Sequence, residues 1–226
     1  MKLSVIIPCF NQSKTIIKIL KNLDSIPKIF QKEIILVDDG STDDCKKFLN
    51  DYIRDKISVL AIHKIRGGRE AVLRTGLSQA TGEIIFLLDF GMIYHSEDYS
   101  ILIKPIVELK ADLVWVPYSY KTNSLPISSF WIFLWNRFLT LITNFFCNLN
   151  ITHFRAGGIL FSRKFFKRIS FCKDRGLLEP QLLAHISESK SRIFEVIPIK
   201  NKLAKPLSLR SNIDAFYSII KYNLFY

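Results

Sequence analysis

Only four cysteines occur in 226 residues, at positions 9, 45, 147 and 172, and no two form a Cys-x-x-Cys pair. None has a histidine at ligand spacing, so a zinc module is excluded and free thiols in a reducing compartment are expected. The N-terminal apolar run, MKLSVIIPCF, is short and broken by Pro8, too little for a secretory signal. Acidic residues are in deficit: 20 Asp and Glu face 32 Lys and Arg, a formal charge of +12. Such a balance favours polyanions, meaning nucleic acid, anionic headgroups or phosphorylated substrates. No aromatic-basic repeat or nucleic-acid module is visible, which argues against nucleic acid. Internal repeats and low-complexity linkers are absent too, so residues 1–226 are expected to form a single domain. What the chain has in plenty is phenylalanine, 18 residues, many in the second half. A basic, aromatic-rich chain suits a membrane surface.

The first half alternates strands and helices. LSVIIP (3–8), EIILVDDG (33–40), ISVLAIH (57–63), EIIFLLD (83–89) and ADLVWVP (111–117) are apolar runs bounded by turn residues, as buried parallel strands are. Helices are expected over 11–26, 41–53 and 68–82, the last closed by glycine. This alternation predicts an α/β fold with a mostly parallel central sheet and helices on both faces. Ligands in such sheets sit beyond the C-terminal strand ends, here 8–11, 38–41, 63–69 and 89–91.

In the second half, 126–149 (PISSFWIFLWNRFLTLITNFFCNL) is apolar and aromatic but holds Asn136, Arg137 and Asn144. Three readings stand: a helix packed on the sheet, a helix lying in the headgroup region, and a membrane span. A central arginine weighs against the span, and the tryptophans and phenylalanines favour the interface. Beyond it, strands at 156–162 and 192–199, helices at 163–169 and 178–186, a basic loop at 201–210 and an amphipathic helix at 211–226 are expected.

SVIIPCFNQ, EIILVDDGSTDD and GGREAVLRTGLSQATGEIIFLLD, in this order and spacing, resemble a family 2 glycosyltransferase of the A-type nucleotide-sugar fold over residues 1–118. The segments HFRAGGILFSRKFF, LEPQLLAHI, RIFEVIPI and KPLSLR resemble those of polyprenyl- or dolichyl-phosphate sugar transferases. The resemblance implies inverting sugar transfer from a nucleotide donor, bound in the 1–118 half, to a lipid phosphate. Residues 119–226 would serve the acceptor and the membrane, peripherally at the cytoplasmic face. Its partners would be a nucleotide sugar, a lipid phosphate and the membrane surface, with a membrane protein or a second copy as further candidates. A non-catalytic relative that binds nucleotide sugar or scaffolds a synthase complex is the alternative.

Asp38 and Asp39, at a strand end, can accept hydrogen bonds from a base or ribose, or can cap the following helix. The resemblance implies Asp39 as the base contact, and Pro8, Phe10 and Asn11 as the pocket lining. Gly68 and Arg69 match a family Gly–Lys pair that faces phosphate, and arginine can hold phosphate bidentately. Asp89 ends a buried strand where a metal ligand belongs. The family's Asp-x-Asp reads here Asp89-Phe90-Gly91, so a Mg or Mn site is weakened or replaced by arginines. For the acceptor phosphate the candidates are Arg155, matched by the family segment, Arg137 inside the aromatic helix, and Lys205. Asp89 and Arg155 are the expected catalytic pair.

Overall fold

The computed structural model describes residues 1–45, 58–63, 65–89, 92, 94–118, 127–169, 178–198 and 209–224. The expected helix beyond residue 45, Phe90, Gly91, Ile93, Cys172 and Lys205 lie outside these residues.

Seven strands form one sheet: β1 (Lys2–Cys9), β2 (Gln31–Asp38), β3 (Val59–Ile62), β4 (Ile84–Leu88), β5 (Leu113–Pro117), β6 (Ala156–Ser162) and β7 (Ile193–Glu195). Their order is β3-β2-β1-β4-β6-β5-β7. All neighbours are parallel except β6, which runs antiparallel to both β4 and β5. The α/β class and the mostly parallel sheet expected from the alternation are therefore present.

Helices cover both faces. Alternate strand residues Leu3, Val5, Ile7, Leu36 and Phe86 pack on one side with α1 (Ser13–Leu23) and α3 (Ser96–Val107). Ile6, Ile35, Val37, Ile85 and Trp115 pack on the other with α2 (Arg69–Gln79), α5 (Arg163–Phe166) and α6 (Leu178–Ser189). The two sets interleave because successive strand side chains point to opposite faces. Trp115 is fully buried and its indole N–H donates to the His153 carbonyl at 2.8 Å.

Helix α3 was not foreseen: the sequence reading assigns nothing between 90 and 110. Tyr99, Leu102, Ile103 and Ile106 bury one face at helical spacing, and the Asp98 carboxylate accepts the His95 N–H at 3.0 Å to close the first turn. Two other elements are shorter than expected. The 163–169 helix is one turn, and the 192–199 strand shrinks to Ile193–Glu195 at the sheet edge.

Helix α4 (Ile127–Cys147) packs on α6 and on α7 (Leu209–Leu224). Leu139, Phe154, Ala215 and Ile219 make a small separate core there. Its inward side also carries polar residues, Asn136, Thr140 and Thr143, all buried. Outward, Trp131, Leu134, Phe138, Leu141 and Phe145 stand exposed in a stripe, Trp131 at 68% and Phe145 at 82%. Apolar side chains thus lie on both faces of α4, unlike the one-sided arrangement of an ordinary surface helix. No described helix is long and apolar enough to cross a membrane.

Candidate functional site

Because β3, β2, β1, β4 and β5 run the same way, their C-terminal ends share one edge, while antiparallel β6 brings its first residues there. That edge gathers Phe10, Asn11, Asp38, Asp39, His63, Asp89, Tyr118 and Arg155. Pro8 is itself a buried strand residue, paired with Val37.

Asn11 is held at φ 49° and stitches two loops together: its Oδ1 accepts the Thr42 N–H at 2.9 Å and its N–H donates to Ser41 Oγ at 2.9 Å. Asp38 turns inward, where its Oδ1 accepts from the Ser41 N–H at 3.2 Å and from the Ser41 hydroxyl. Asp38 thus closes the turn at 38–41 and is fully buried. Asp39 faces the next loop. Its Oδ1 accepts the Gly67 N–H and meets His63 Nδ1, its Oδ2 accepts the Gly68 N–H, and all three distances are 2.8 Å. His63 in turn reaches Thr75 on α2 at 2.9 Å. Asp39, 1% exposed, is thus the latch of the 67–68 loop. Gly68 has φ 82°, a left-handed conformation that suits glycine, with open space beside it. Arg66, just before, lies over the Phe10 ring at 4.1 Å.

At the start of α2, Arg69 points into a cluster of carboxylates. Its Nε donates to Asp89 Oδ1 at 2.5 Å. Its Nη1 reaches Glu70 and Glu179 at 3.0 Å each, and Nη2 lies 2.8 Å from the second Glu179 oxygen. Burial works against its charge, but Asp89, Glu179 and Glu70 outweigh it and raise the guanidinium well above its usual value. Glu70 also accepts the Leu178 N–H at the first turn of α6, at 2.8 Å. Burial and the nearby Glu179 raise its carboxyl to about 7, against the pull of Arg69.

The other oxygen of Asp89 accepts the Tyr118 hydroxyl, with Arg155 Nη2 at 3.7 Å. Arg155 lies over the Tyr118 ring at 5.2 Å. Next to it, burial and the Arg155 and Arg137 cations lower His153 to about 4. Arg137 then lines an open apolar groove of about 390 Å³ with Trp131, Leu134, Trp135, Phe138 and Leu141. His153 thus lies between two cations, Arg155 at the strand edge beside Asp89 and Arg137 on the exposed stripe of α4.

Sequence reasoning brought Asp89, Arg69 and Arg155 to one place but did not foresee their pairing. It also passed over His63 and Tyr118 as partners. Register was the available signal: Ile62 pairs with Asp38, so the residues after each, His63 and Asp39, are neighbours. A divalent ion needs open carboxylate oxygens. Asp89, Glu70 and Glu179 are each engaged by Arg69, and among the described residues no group of three or more His, Cys, Asp or Glu is arranged to hold a metal ion. These side chains, as placed, do not fit one.

Comparison with known proteins places this edge in context. The model of the glycosyl transferase family 2 matches residues 4–170. A dolichyl-phosphate beta-glucosyltransferase of Trichomonas vaginalis is 27% identical over 115 residues, 47% of this chain and 36% of that protein. The undecaprenyl-phosphate 4-deoxy-4-formamido-L-arabinose transferase of Proteus mirabilis is 33% identical over 92 residues, 39% of this chain and 28% of that protein. The matched stretches thus span about a third of these relatives. Among solved structures, the glucosyl-3-phosphoglycerate synthase of Mycobacterium tuberculosis, in complex with Mn²⁺, UDP and glucosyl-3-phosphoglycerate, superposes with a TM-score of 0.76 at 17% identity, over 98% of this chain and 80% of that one. S. aureus TarS with UDP-GlcNAc gives 0.63 at 19% identity, over 98% and 66%.

Proposed function

This chain belongs to glycosyl transferase family 2, and from that premise we propose that it moves a sugar from a nucleotide sugar to a polyprenyl-phosphate-type lipid, peripherally at the cytoplasmic face of a membrane. The observation that carries the reading is the run of cations from Arg155 to Arg137 into the exposed aromatic stripe of α4. A lipid phosphate needs that combination: charge at depth for the headgroup, and an apolar path for the chain. Relatives named for dolichyl and undecaprenyl phosphate support the acceptor class, and neighbours holding UDP or UDP-GlcNAc support the donor class.

The donor diphosphate lies at the strand edge, near the Gly67–Gly68 loop that Asp39 latches and Arg66 on Phe10. Backbone at glycine permits close approach to the nucleotide. Arg155 and Arg137 hold and orient the acceptor phosphate. Its oxygen attacks the anomeric carbon in line, the new C–O bond forms as the bond to the diphosphate breaks, and the configuration inverts. The phosphate is already ionised at neutral pH, so no strong base is required, and positioning supplies most of the rate.

The test is transfer of radiolabelled sugar from a panel of UDP- and GDP-sugars to polyprenyl phosphate in mixed micelles. Organic-extractable label with one donor, lost in Arg155→Ala, is expected. Failure of every donor to label the lipid, while one labels a soluble phosphorylated acceptor, would overturn the lipid assignment.

A further inference from the structure

The carboxylate cluster at the head of α2 already contains its cation. Arg69 is 18% exposed at its side chain and makes charged contacts to Asp89, Glu70 and Glu179 at 2.5–3.0 Å. One guanidinium shared by three acids is an unusual arrangement for the start of a helix. It makes sense if the carboxylates need a permanent counter-ion. Two of them are held a second time from elsewhere, Asp89 by the Tyr118 hydroxyl and Glu70 by the Leu178 N–H, and Glu179 is 3% exposed in the first turn of α6. The acids therefore cannot swing aside easily, and a divalent ion could enter only if the guanidinium left.

We infer that Arg69 is the resident cation of this site, standing where a divalent ion would otherwise be bound, so that this chain binds a nucleoside diphosphate without a metal. The inference rests on the nucleotide reading above. Asp89, Glu70 and Glu179 carry three negative charges against two positive charges on Arg69 and Arg155. The excess is a single formal charge. An incoming diphosphate meets carboxylates already paired with guanidinium groups, with Arg66 on Phe10 at the same strand edge. Guanidinium geometry matches the role, since five donors in a fixed planar fork meet several carboxylates in set directions, whereas an ammonium offers three freely rotating ones.

Calorimetric titration of UDP and of GDP into the whole chain, in EDTA and in millimolar Mn²⁺, tests this. The affinity of whichever binds should change by less than about threefold between the buffers. Arg69→Met should weaken it by about tenfold or more in EDTA and regain part of the loss in Mn²⁺, because the vacated carboxylates then admit the ion. Arg69→Lys keeps the charge and should lose less than Arg69→Met, which separates loss of the cation from loss of the fold. A wild-type affinity that collapses by about tenfold or more in EDTA would overturn the inference, as would unchanged EDTA binding by Arg69→Met. If neither nucleotide binds in either buffer, the nucleotide reading falls, and Mn²⁺ titration of the nucleotide-free protein decides the remainder. Uptake by Arg69→Met and not by wild type supports a resident cation; uptake by wild type, or by neither, refutes it.

Discussion

Replacing Asp39 by asparagine is nearly isosteric and tests whether this carboxylate acts as a latch. Three groups meet it at 2.8 Å: the Gly67 N–H and His63 Nδ1 on one oxygen, the Gly68 N–H on the other. Asparagine keeps one oxygen and turns the other into an amide donor. If the oxygen stays with Gly67 and His63, the new NH₂ faces the Gly68 N–H, donor against donor, at a position 1% exposed. A charge-assisted bond of about 1.5–3 kcal/mol is lost and an unsatisfied buried donor adds about 1–3 kcal/mol, less whatever the loop recovers by shifting. A net loss of about 2–4 kcal/mol is expected, which for a chain of this size lowers the melting temperature by roughly 4–16 °C. Denaturant melts give the first quantity. Hydrogen exchange at the Gly67 and Gly68 amides locates it, since both should open faster while β1 and β2 stay protected. Nucleotide affinity should fall with the loop. Were Asp39 instead a direct base contact and nothing more, Asp39→Asn would lose nucleotide while stability and exchange stayed at wild-type values, and that result would refute the latch.

Stability should vary with pH in two opposed ways. Glu70 is raised to about 7 when folded, so its contribution is present below about 4.5 and is lost as pH rises to about 7, by about 3 kcal/mol; Glu70→Gln should flatten that limb of a denaturation-versus-pH curve. His153 is lowered to about 4, so its contribution is present above about 6.5 and is lost as pH falls through 4; His153→Gln should flatten the acid limb. Trp131→Ser combined with Phe138→Ser should abolish flotation on anionic vesicles and lower the melt only modestly, since Trp131 is 68% exposed while Phe138, 43% exposed, also lies against Trp135 and Phe216; unchanged flotation would move the membrane contact off α4. Gly158→Ala places a Cβ 2.5 Å from the Tyr94 hydroxyl and 2.9 Å from the Phe86 ring and should cost about 1–3 kcal/mol, with part of it recovered in Gly158→Ala/Tyr94→Phe; no recovery in the melts would show that Phe86 or the backbone carries the crowding.

Most of the sheet was legible because its strands are unbroken apolar runs, and a run such as IIFLL at β4 has few alternatives once turns bound it. Helix α3 was not read, although Tyr99, Leu102, Ile103 and Ile106 repeat at helical spacing, because Pro105 sits inside it and a proline there argues for a break. For the site, residue types were readable and pairings were not. Arg69 was expected to face phosphate, yet Glu179 lies 110 residues away in sequence and reaches it only because α6 packs on the same face as α2. Likewise the direction of β6 decides that Arg155, rather than Arg163 at its other end, comes to Asp89. Neither fact has a local signature.

Strand β6 also dictates an order of events during synthesis. Strands β4 and β5 leave the ribosome well before residues 156–162, yet they are not neighbours until β6 has been inserted between them, Leu88 and Val116 both pairing with Gly158. Until then β4, buried along its whole length in the finished molecule, presents an unpaired apolar edge to other nascent chains. A fragment ending near residue 118 would keep most of the nucleotide half and carry that edge permanently. Aggregation of such a fragment would follow from topology alone, and supplying residues 156–162 as a separate peptide is the direct way to quench it.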